Sequence, residues 1–284
     1  MADPPPDRCS EWSRAAGEPL SATAATAQHW LLLEVPGRWP RDVAAGDGLP
    51  GGARRRVVAW SAGSGARRVL FVRRATRHAG LLAFVVRAEE SASEVRRIEL
   101  EDHASLDTVD LERDGDRVDT RLTLVCGHGS RDSCCALHGT AVTLSLTEHL
   151  GDEELWTSSH HGGHRFAANV LVLPAGLQFG RIEPAEAPSL VARALAGRIE
   201  LGRYRGRTCY APEVQAAEHA VRTTVGLEDV SGLRLLDVEG SRVRFRSRGD
   251  AVHEALVEQV VGPDVPASCG AEPEARPRLV ARVL

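Results

Sequence analysis

The sequence CGHGSRDSCC, from Cys126 to Cys135, is followed by SSHHGGHRF, which begins at Ser158 and carries imidazoles at His160 and His164. Thiolate and imidazole groups suit zinc, copper or an iron–sulfur cluster, and they suit magnesium or calcium poorly. Glycines in both segments let the backbone approach a bound centre closely. The pattern therefore indicates a metal centre that is held by two loops.

The segments around these loops predict an ordered unit of strands and helices. The predicted elements are a strand at 121–125, a helix at 135–150, a strand at 154–158, a hairpin of strands at 168–173 and 177–182, and a helix at 184–196. This is the order of a thioredoxin-like unit. Parallel strands place binding loops at their carboxyl ends, so the two loops are expected to converge at one edge of a sheet.

The first half of the chain has a similar order without the ligands. Its predicted elements are a buried strand at 28–35, a helix that begins near Arg54, a hairpin of strands at 67–74 and 81–88, and a polar, acidic segment at 89–119 that contains a domain boundary. Apolar runs bounded by glycine and proline support these assignments. One interpretation of this half is a degenerate second thioredoxin-like copy.

The end of the chain is predicted to be mainly β after one helix. The predicted elements are a helix at 212–226, a hairpin of strands at 233–238 and 242–247, a segment at 251–261 that fits strand or helix equally, and an edge strand at 278–284. Periodic apolar residues favour the helix, and alternation favours the hairpin.

The fold class that follows is mixed α/β, of the α+β kind. The predicted layout is an irregular or disordered N-terminus at 1–20, an N-terminal α/β domain at 21–115, a thioredoxin-like domain at 116–230 and a mainly β extension at 231–284. A chain of 284 residues with 43% hydrophobic residues can bury such cores.

The charge and hydropathy of the chain argue against nucleic-acid binding and against a membrane span. The net charge of −4 gives no basic footprint for nucleic acid. No run approaches the roughly 18 apolar residues of a membrane span, so no membrane partner is expected. The opening residues MADPPPDRCSE lack a cleavable signal, which predicts a cytoplasmic location. The oligomeric state cannot be predicted.

The six cysteines do not form a disulfide framework in a chain of this length. Cys9, Cys209 and Cys269 stand singly in the sequence and are interpreted as free thiols. The group at Cys126, Cys134 and Cys135 differs because it lies in a glycine-rich loop before a helix.

The two loop sequences, with the continuation of the second loop to AANVLVLPAGLQFGRI, resemble the sucrase/ferredoxin-like family. The similarity extends to CSEWSRAAGEPLSATA at 9–24 and GRYRGRTCYAPEVQAAEHAVR at 202–222. The resemblance implies a thioredoxin-like ferredoxin domain with a [2Fe–2S] cluster and two Cys and two His ligands, as in Rieske proteins. Transferred by position, these ligands are Cys126, Cys135, His160 and His164. Cys134 is then a neighbour.

Other residues near the loops have simpler interpretations, although one alternative stays open. His161 is adjacent to His160 and could replace it as a ligand. His128 and His138 are expected to be hydrogen-bonded or solvated, and Asp132 is expected to cap the following helix. Glycoside hydrolysis needs two placed carboxylates, and no such pair stands out.

The ligand set has predictable redox consequences. Replacing two thiolates by neutral imidazoles makes the oxidised cluster neutral, which raises its potential. Rieske centres span roughly −150 to +300 mV, against about −400 mV for plant-type ferredoxins. We expect the cysteines to share one iron and the histidines the other. Arg131 and Arg165 lie beside the ligands in sequence and would favour the more negative, reduced state.

Proton uptake is expected to accompany reduction. The second imidazole nitrogens of His160 and His164 are expected to face solvent. Reduction weakens the pull of iron on these groups and raises their pKa, so low pH favours the reduced state. The potential should be flat below the pKa of the oxidised state and fall by about 59 mV per pH unit above it.

These observations favour an electron carrier over an enzyme. Its partner would be a redox protein, a reductase or an electron acceptor, that the sequence does not identify. A Cys2His2 zinc protein is one alternative, although eight residues between the thiols exceed the usual two to four of zinc fingers. A thioredoxin-like thiol oxidoreductase is another, but it would lack its Cys-x-x-Cys motif.

Overall fold

The computed structural model of the chain describes residues 8–76 and 78–284. One ten-stranded sheet runs through both halves. Its strands are β1 His29–Glu34, β2 Arg67–Arg73, β3 Leu81–Ala88, β4 Ser93–Leu100, β5 Asp116–Val118, β6 Leu122–Cys126, β7 Leu155–Ser158, β8 Val170–Leu173, β9 Leu177–Phe179 and β10 Tyr204–Arg207. They are ordered β10-β9-β8-β6-β7-β2-β1-β3-β4-β5. The mixed α/β fold class is confirmed.

The described residues form five α-helices. They are α1 Cys9–Ala15, α2 Gly51–Ser61, α3 Ser133–Leu146, α4 Ala187–Leu195 and α5 Pro212–Val225. The structure therefore differs from the irregular N-terminus expected at 1–20, because residues 9–15 are helical; residues 1–7 lie outside the described residues. None of the described helices has the length and apolarity to cross a membrane.

The sheet consists of two units with the same strand order. In the first, β1 pairs in parallel with β2 and antiparallel with β3, which pairs antiparallel with β4. In the second, β6 pairs in parallel with β7 and antiparallel with β8, which pairs antiparallel with β9. A helix, α2 or α3, connects the two parallel strands of each unit. The strand order thus supports the interpretation of the first half as a second thioredoxin-like copy.

The units meet through equivalent strands. β2 and β7 pair antiparallel, with Val72 opposite Ser158. Within its own unit, Val72 lies beside Glu34, the last residue of β1, and Ser158 lies beside Cys126, the last residue of β6. The junction therefore relates the two units by an approximate two-fold axis.

The hairpin predicted at 67–74 and 81–88 is wrong. β2 and β3 do not pair with each other, because β1 lies between them. Residues 31–33 are completely buried. An apolar strand that is buried on both faces is typical of the interior of a sheet, with neighbours on both sides.

The predicted domain boundaries stay predictions, but two strands lie near the first of them. Residues 89–119 contain strand β4, whose buried Val95, Ile98 and Leu100 were missed among charged neighbours. The boundary expected between 115 and 116 falls just before β5, which pairs with β4 and so belongs to the first unit.

A second sheet is built from the end of the chain. Its strands, in spatial order, are β11 Leu233–Glu239, β12 Arg242–Ser247, β13 Val252–Val260 and β16 Arg278–Val283, and a separate hairpin is formed by β14 Asp264–Pro266 and β15 Pro273–Ala275. The predicted hairpin and edge strand are confirmed. Helix α5 shares a core with this sheet, where Val221 and Phe245 are buried. The C-terminal body therefore includes α5 and begins before residue 231.

Helix α3 lies unusually close to β6. A Cβ atom on Gly139 would lie 2.0 Å from the carbonyl oxygen of Cys126. The start of α3 is fixed by Asp132, whose side chain accepts a hydrogen bond of 2.9 Å from the backbone N–H of Cys134, as predicted for a cap. The two contacts fix the cysteines of α3 relative to the end of β6.

Replacing Gly139 by alanine tests this contact. Helix propensity alone would stabilise the variant by about 1 kcal/mol. Overpacking costs about 1–3 kcal/mol or more, and the obstacle here is rigid backbone. We expect Gly139→Ala to lower the free energy of unfolding by about 2 kcal/mol in urea titrations. The exposed neighbour provides the control, since Thr140→Ala should change it by less than about 0.5 kcal/mol. A stabilised Gly139→Ala variant would show that α3 does not approach β6 this closely.

A buried ion pair joins three strands of the first unit. The guanidinium of Arg74 donates hydrogen bonds of 2.9 and 2.7 Å to the carboxylate of Glu34, and the backbone N–H of Leu82 donates a third of 2.9 Å. The side chains of Arg74 and Glu34 are 5% and 6% exposed. The pair therefore ties the end of β1 to the chain after β2 and to β3.

Removing one member of this pair should destabilise the protein strongly. Glu34→Ala leaves a buried guanidinium without its partner, which costs about 3–5 kcal/mol of unfolding free energy. In the control Glu112→Ala, the lost ion pair to Arg67 involves a carboxylate that is 59% exposed, so the loss should stay below about 1 kcal/mol. Equal losses in the two variants would contradict the argument from burial.

Candidate metal centre

The donor atoms of three of the four predicted ligands lie close together. The Sγ atoms of Cys126 and Cys135 and a ring nitrogen of His160 lie within 4.8 Å of one another. The Nδ1 atom of His160 is 3.9 Å from the sulfur of Cys126 and 3.7 Å from that of Cys135. Cys126 ends β6 and His160 follows β7, so the parallel pair delivers both to the same edge of the sheet, as expected.

His164 lies beside this group. Its ring stacks on that of His160, with centroids 5.1 Å apart. Its Nε2 is hydrogen-bonded to the carbonyl of Ala267, while its Nδ1 is buried and has no hydrogen-bond partner among the described residues. Burial lowers the pKa of His164, which favours the neutral ring. With the proton on Nε2, the lone pair of Nδ1 is available to a metal.

The expectation that both remote imidazole nitrogens face solvent is wrong for His164. The loop between β14 and β15 covers its Nε2 atom through Ala267, which is distant in sequence. Metal-binding histidines commonly donate their other N–H to a carbonyl, which fixes the orientation of the ring.

The structure places His160, and not His161, among the thiols. His161 is completely buried, and the side-chain amide of Gln178 donates to its Nδ1 at 2.9 Å and to its carbonyl at 3.2 Å. Burial lowers the pKa of His161 to about 3, so its ring is neutral. Gln178 lies on β9, so His161 anchors its loop to the sheet.

His128 has a positioning role that the sequence did not reveal. Its Nε2–H donates to the carbonyl of Pro40 at 2.9 Å, and its Nδ1 accepts the backbone N–H of His160 at 3.1 Å. Burial lowers its pKa, and both ring nitrogens are used. His128 is therefore hydrogen-bonded, as expected, and it fixes the backbone of the ligand beside it.

The two thiols of the site have different acidities. A hydrogen bond from Cys135 holds the pKa of Cys126 well below its usual range, and the same contact raises the pKa of Cys135 well above it. Cys126 is thus disposed to be a thiolate, the form that binds metals.

A buried arginine holds the histidine loop. The guanidinium of Arg205 donates to the carbonyl of Gly162 at 2.9 Å and to the side-chain oxygen of Asn169 at 2.8 Å. Burial lowers its pKa to about 9. A Cβ atom on Gly163 would lie 2.3 Å from this guanidinium, and φ there is +73°, so glycine is required.

The charges around the site differ in part from the expectation. Arg165 pairs with the carboxylate of Glu18 at 2.8 Å, so its charge is compensated. A cavity of about 220 Å³ reaches the ring of His160. Its lining includes Asp42 and the arginines Arg41, Arg67, Arg68 and Arg131, of which Arg67 pairs with Glu112. The lining of this cavity therefore carries a net positive charge.

A second group of thiols lies next to the first. Cys134 contacts Cys9, Cys269 and the carboxylate of Asp132, and their donor atoms lie within 4.8 Å of one another. The Cys9 thiol donates to Cys134 and lowers the pKa of Cys134 to about 5. Cys9 and Cys269 are free thiols, as interpreted from the sequence, but each lies in contact with Cys134. Their sequence separation gave no signal of the contact.

Curated relatives align with only part of the chain. Altered inheritance of mitochondria protein 32 from Eremothecium gossypii is 32% identical over 106 residues, which are 32% of this chain and 34% of the relative. The protein of the same name from Meyerozyma guilliermondii is 32% identical over 95 residues, or 30% of this chain and 34% of the relative. The chain thus spans about a third of the length of the curated relatives it matches. No solved structure matches it.

The model of the sucrase/ferredoxin-like family matches residues 20–206, about two thirds of the chain. The match contains both loops of the candidate metal centre and nine complete strands of the large sheet, and it ends within the tenth, β10. The chain therefore belongs to the sucrase/ferredoxin-like family.

Proposed function

We propose that this chain is an electron-transfer protein that holds a [2Fe–2S] cluster through Cys126, Cys135, His160 and His164. One observation carries the proposal: a ring nitrogen of His160 lies within 3.9 Å of both thiols, and the stacked ring of His164 offers a buried Nδ1 that has no hydrogen-bond partner in the described part of the chain. Membership of the family supports this assignment.

The residues fit such a centre chemically. Two thiolates and two imidazoles are the donor set of Rieske-type [2Fe–2S] centres. The Nε2–H of His164 has a carbonyl acceptor, and the acidic thiol of Cys126 favours the thiolate. When bound, the cluster would accept and release one electron.

The chain itself would tune and position this centre. Neutral imidazoles in place of two thiolates favour electron uptake, and His128 and Arg205 fix the loops that carry the ligands. His160 borders the arginine-lined cavity and is the side chain through which a redox partner with an acidic surface would couple. The proposal also includes the coupling of proton uptake to reduction that was predicted from the sequence. It further includes the binding of one iron by the two cysteines and of the other iron by the two histidines, and a cytoplasmic location.

A zinc ion is the second candidate for the same ligands. Two thiols and one imidazole already lie within 4.8 Å of one another, which also suits a tetrahedral Cys2His2 site. Such a protein would have a structural role and no redox activity. The colour of the purified protein separates the two candidates, because an iron–sulfur protein is reddish-brown and a zinc protein is colourless.

Iron analysis tests the ligands. Protein purified anaerobically should contain about two iron and two sulfide ions per chain, the composition of a [2Fe–2S] centre. Cys126→Ala and His164→Ala should each reduce both to background, because three ligands do not retain the cluster. The controls are Cys209→Ala and His149→Ala, which change the same residue types outside the site and should keep full iron. Full iron in Cys126→Ala, or wild-type protein with zinc and no iron bound by these residues, would refute the proposal.

The reduction potential tests the contribution of the imidazoles. We expect the wild-type potential to lie in the range of roughly −150 to +300 mV, and His164→Cys to shift it towards about −400 mV, because a thiolate adds negative charge to the centre. Redox titration followed by electron paramagnetic resonance measures both, with His149→Ala as the unchanged control. A wild-type potential near that of four-thiolate ferredoxins that does not respond to His164→Cys would contradict two-histidine ligation.

A further inference from the structure

Four side chains outside the proposed cluster ligands form a compact group of donors. The sulfur of Cys134 lies 3.6 Å from that of Cys9 and 3.3 Å from that of Cys269, and the sulfurs of Cys9 and Cys269 are 3.6 Å apart. A carboxylate oxygen of Asp132 lies 3.8 Å from Cys9 and 3.3 Å from Cys269.

These separations match the edges of a coordination tetrahedron. With Zn–S bonds of about 2.3 Å and a Zn–O bond of about 2.1 Å, tetrahedral geometry separates the sulfurs by about 3.8 Å and sulfur from oxygen by about 3.6 Å. We propose that Cys9, Cys134, Cys269 and Asp132 bind a zinc ion. Four protein ligands leave no open position, which is typical of a structural site and not of a catalytic one.

The electrostatics of the group also favour a cation. The side chain of Asp132 is 1% exposed, and within the described chain its ion-pair contact is with Nε2 of His164 at 4.0 Å, an atom that already bonds to Ala267. A buried carboxylate without a paired cation is costly. Zinc would displace the thiol protons to solvent and balance part of the negative charge.

Neighbouring groups are arranged to support bound thiolates. The hydroxyl of Ser10 donates to the sulfur of Cys134 at 3.3 Å, and that of Ser133 donates to the sulfur of Cys269 at 3.4 Å. The backbone N–H of Cys269 donates to Asp132 at 3.0 Å. Hydrogen bonds of this kind orient metal ligands and stabilise their charge.

The site would join three distant parts of the chain. Cys9 begins α1, Cys134 lies in the first turn of α3, and Cys269 lies in the loop between β14 and β15. Cys9 and Cys269 both lie outside residues 20–206, the part that the family model matches. The same β14–β15 loop carries Ala267, so the ion would also hold the segment that covers His164.

Metal analysis of the full-length protein tests the proposal. Wild-type protein incubated with zinc and desalted should retain about one zinc per chain, and X-ray absorption at the zinc edge should show three sulfur ligands at about 2.3 Å and one oxygen at about 2.0–2.2 Å. Cys9→Ala and Cys269→Ala should each lose this zinc. The matched control Cys209→Ala should retain it.

Two further measurements separate this site from the proposed cluster. Cys126→Ala should lose iron and keep zinc, whereas Cys269→Ala should lose zinc. In wild-type protein, bound zinc should protect Cys9, Cys134 and Cys269 from alkylation by iodoacetamide, as mapped by peptide mass spectrometry. Removal of the zinc by a chelator should make the three thiols reactive. This measurement uses wild-type protein, so its result does not depend on whether the variants fold.

Several results would overturn the assignment. The first is wild-type protein that takes up no zinc, and the second is zinc retained in both Cys9→Ala and Cys269→Ala. The third is zinc lost in Cys126→Ala, with a wild-type absorption spectrum that shows two sulfur and two nitrogen ligands. The fourth is a disulfide between two of the three thiols in protein isolated without oxidant. Only the third of these would also count against the iron–sulfur proposal.

Discussion

The parallel pairing of β6 with β7, in the register that sets Cys126 beside Ser158, is the constraint on which the candidate metal centre depends. Both strands end at the same edge, so the loops after them meet there. Helix α3 brings Cys135 to that point because position 139 carries no side chain and lets the helix lie on the end of β6. A shift of this register would separate the thiols from the imidazoles, whatever the rest of the sheet did.

Much of this arrangement could be predicted from local sequence. The apolar runs before Cys126 and His160 indicated strands, Asp132 indicated the start of α3, and the Cys and His pattern indicated soft ligands. Long-range pairing could not be predicted in the same way. The segments at 67–74 and 81–88 look like a hairpin because they are adjacent in sequence, whereas β1, more than thirty residues earlier, lies between them. The contacts of Cys9 with Cys269 and of His164 with Ala267 were hidden for the same reason.

Asp132 connects features that otherwise look separate. One oxygen caps α3 by accepting the N–H of Cys134, and the carboxylate also contacts the thiols of Cys9 and Cys269 and lies 4.0 Å from the ring of His164. A change in charge at either group of thiols therefore changes the electrostatic energy of Asp132, which caps the helix that carries Cys134 and Cys135. The two groups of donors are adjacent parts of one polar interior.

The approximate two-fold axis has a consequence for how the two halves use the same geometry. Arg74 lies two residues beyond Val72, as His160 lies two residues beyond Ser158, so Glu34 and Arg74 occupy the positions that Cys126 and His160 occupy in the other unit. In one unit the strand ends carry opposite charges that satisfy each other. In the other they carry a thiol and an imidazole, which are donor groups that a metal ion could bind. The charged groups at the strand ends of the first unit therefore satisfy each other, whereas the donor groups at the strand ends of the second unit could hold a metal ion.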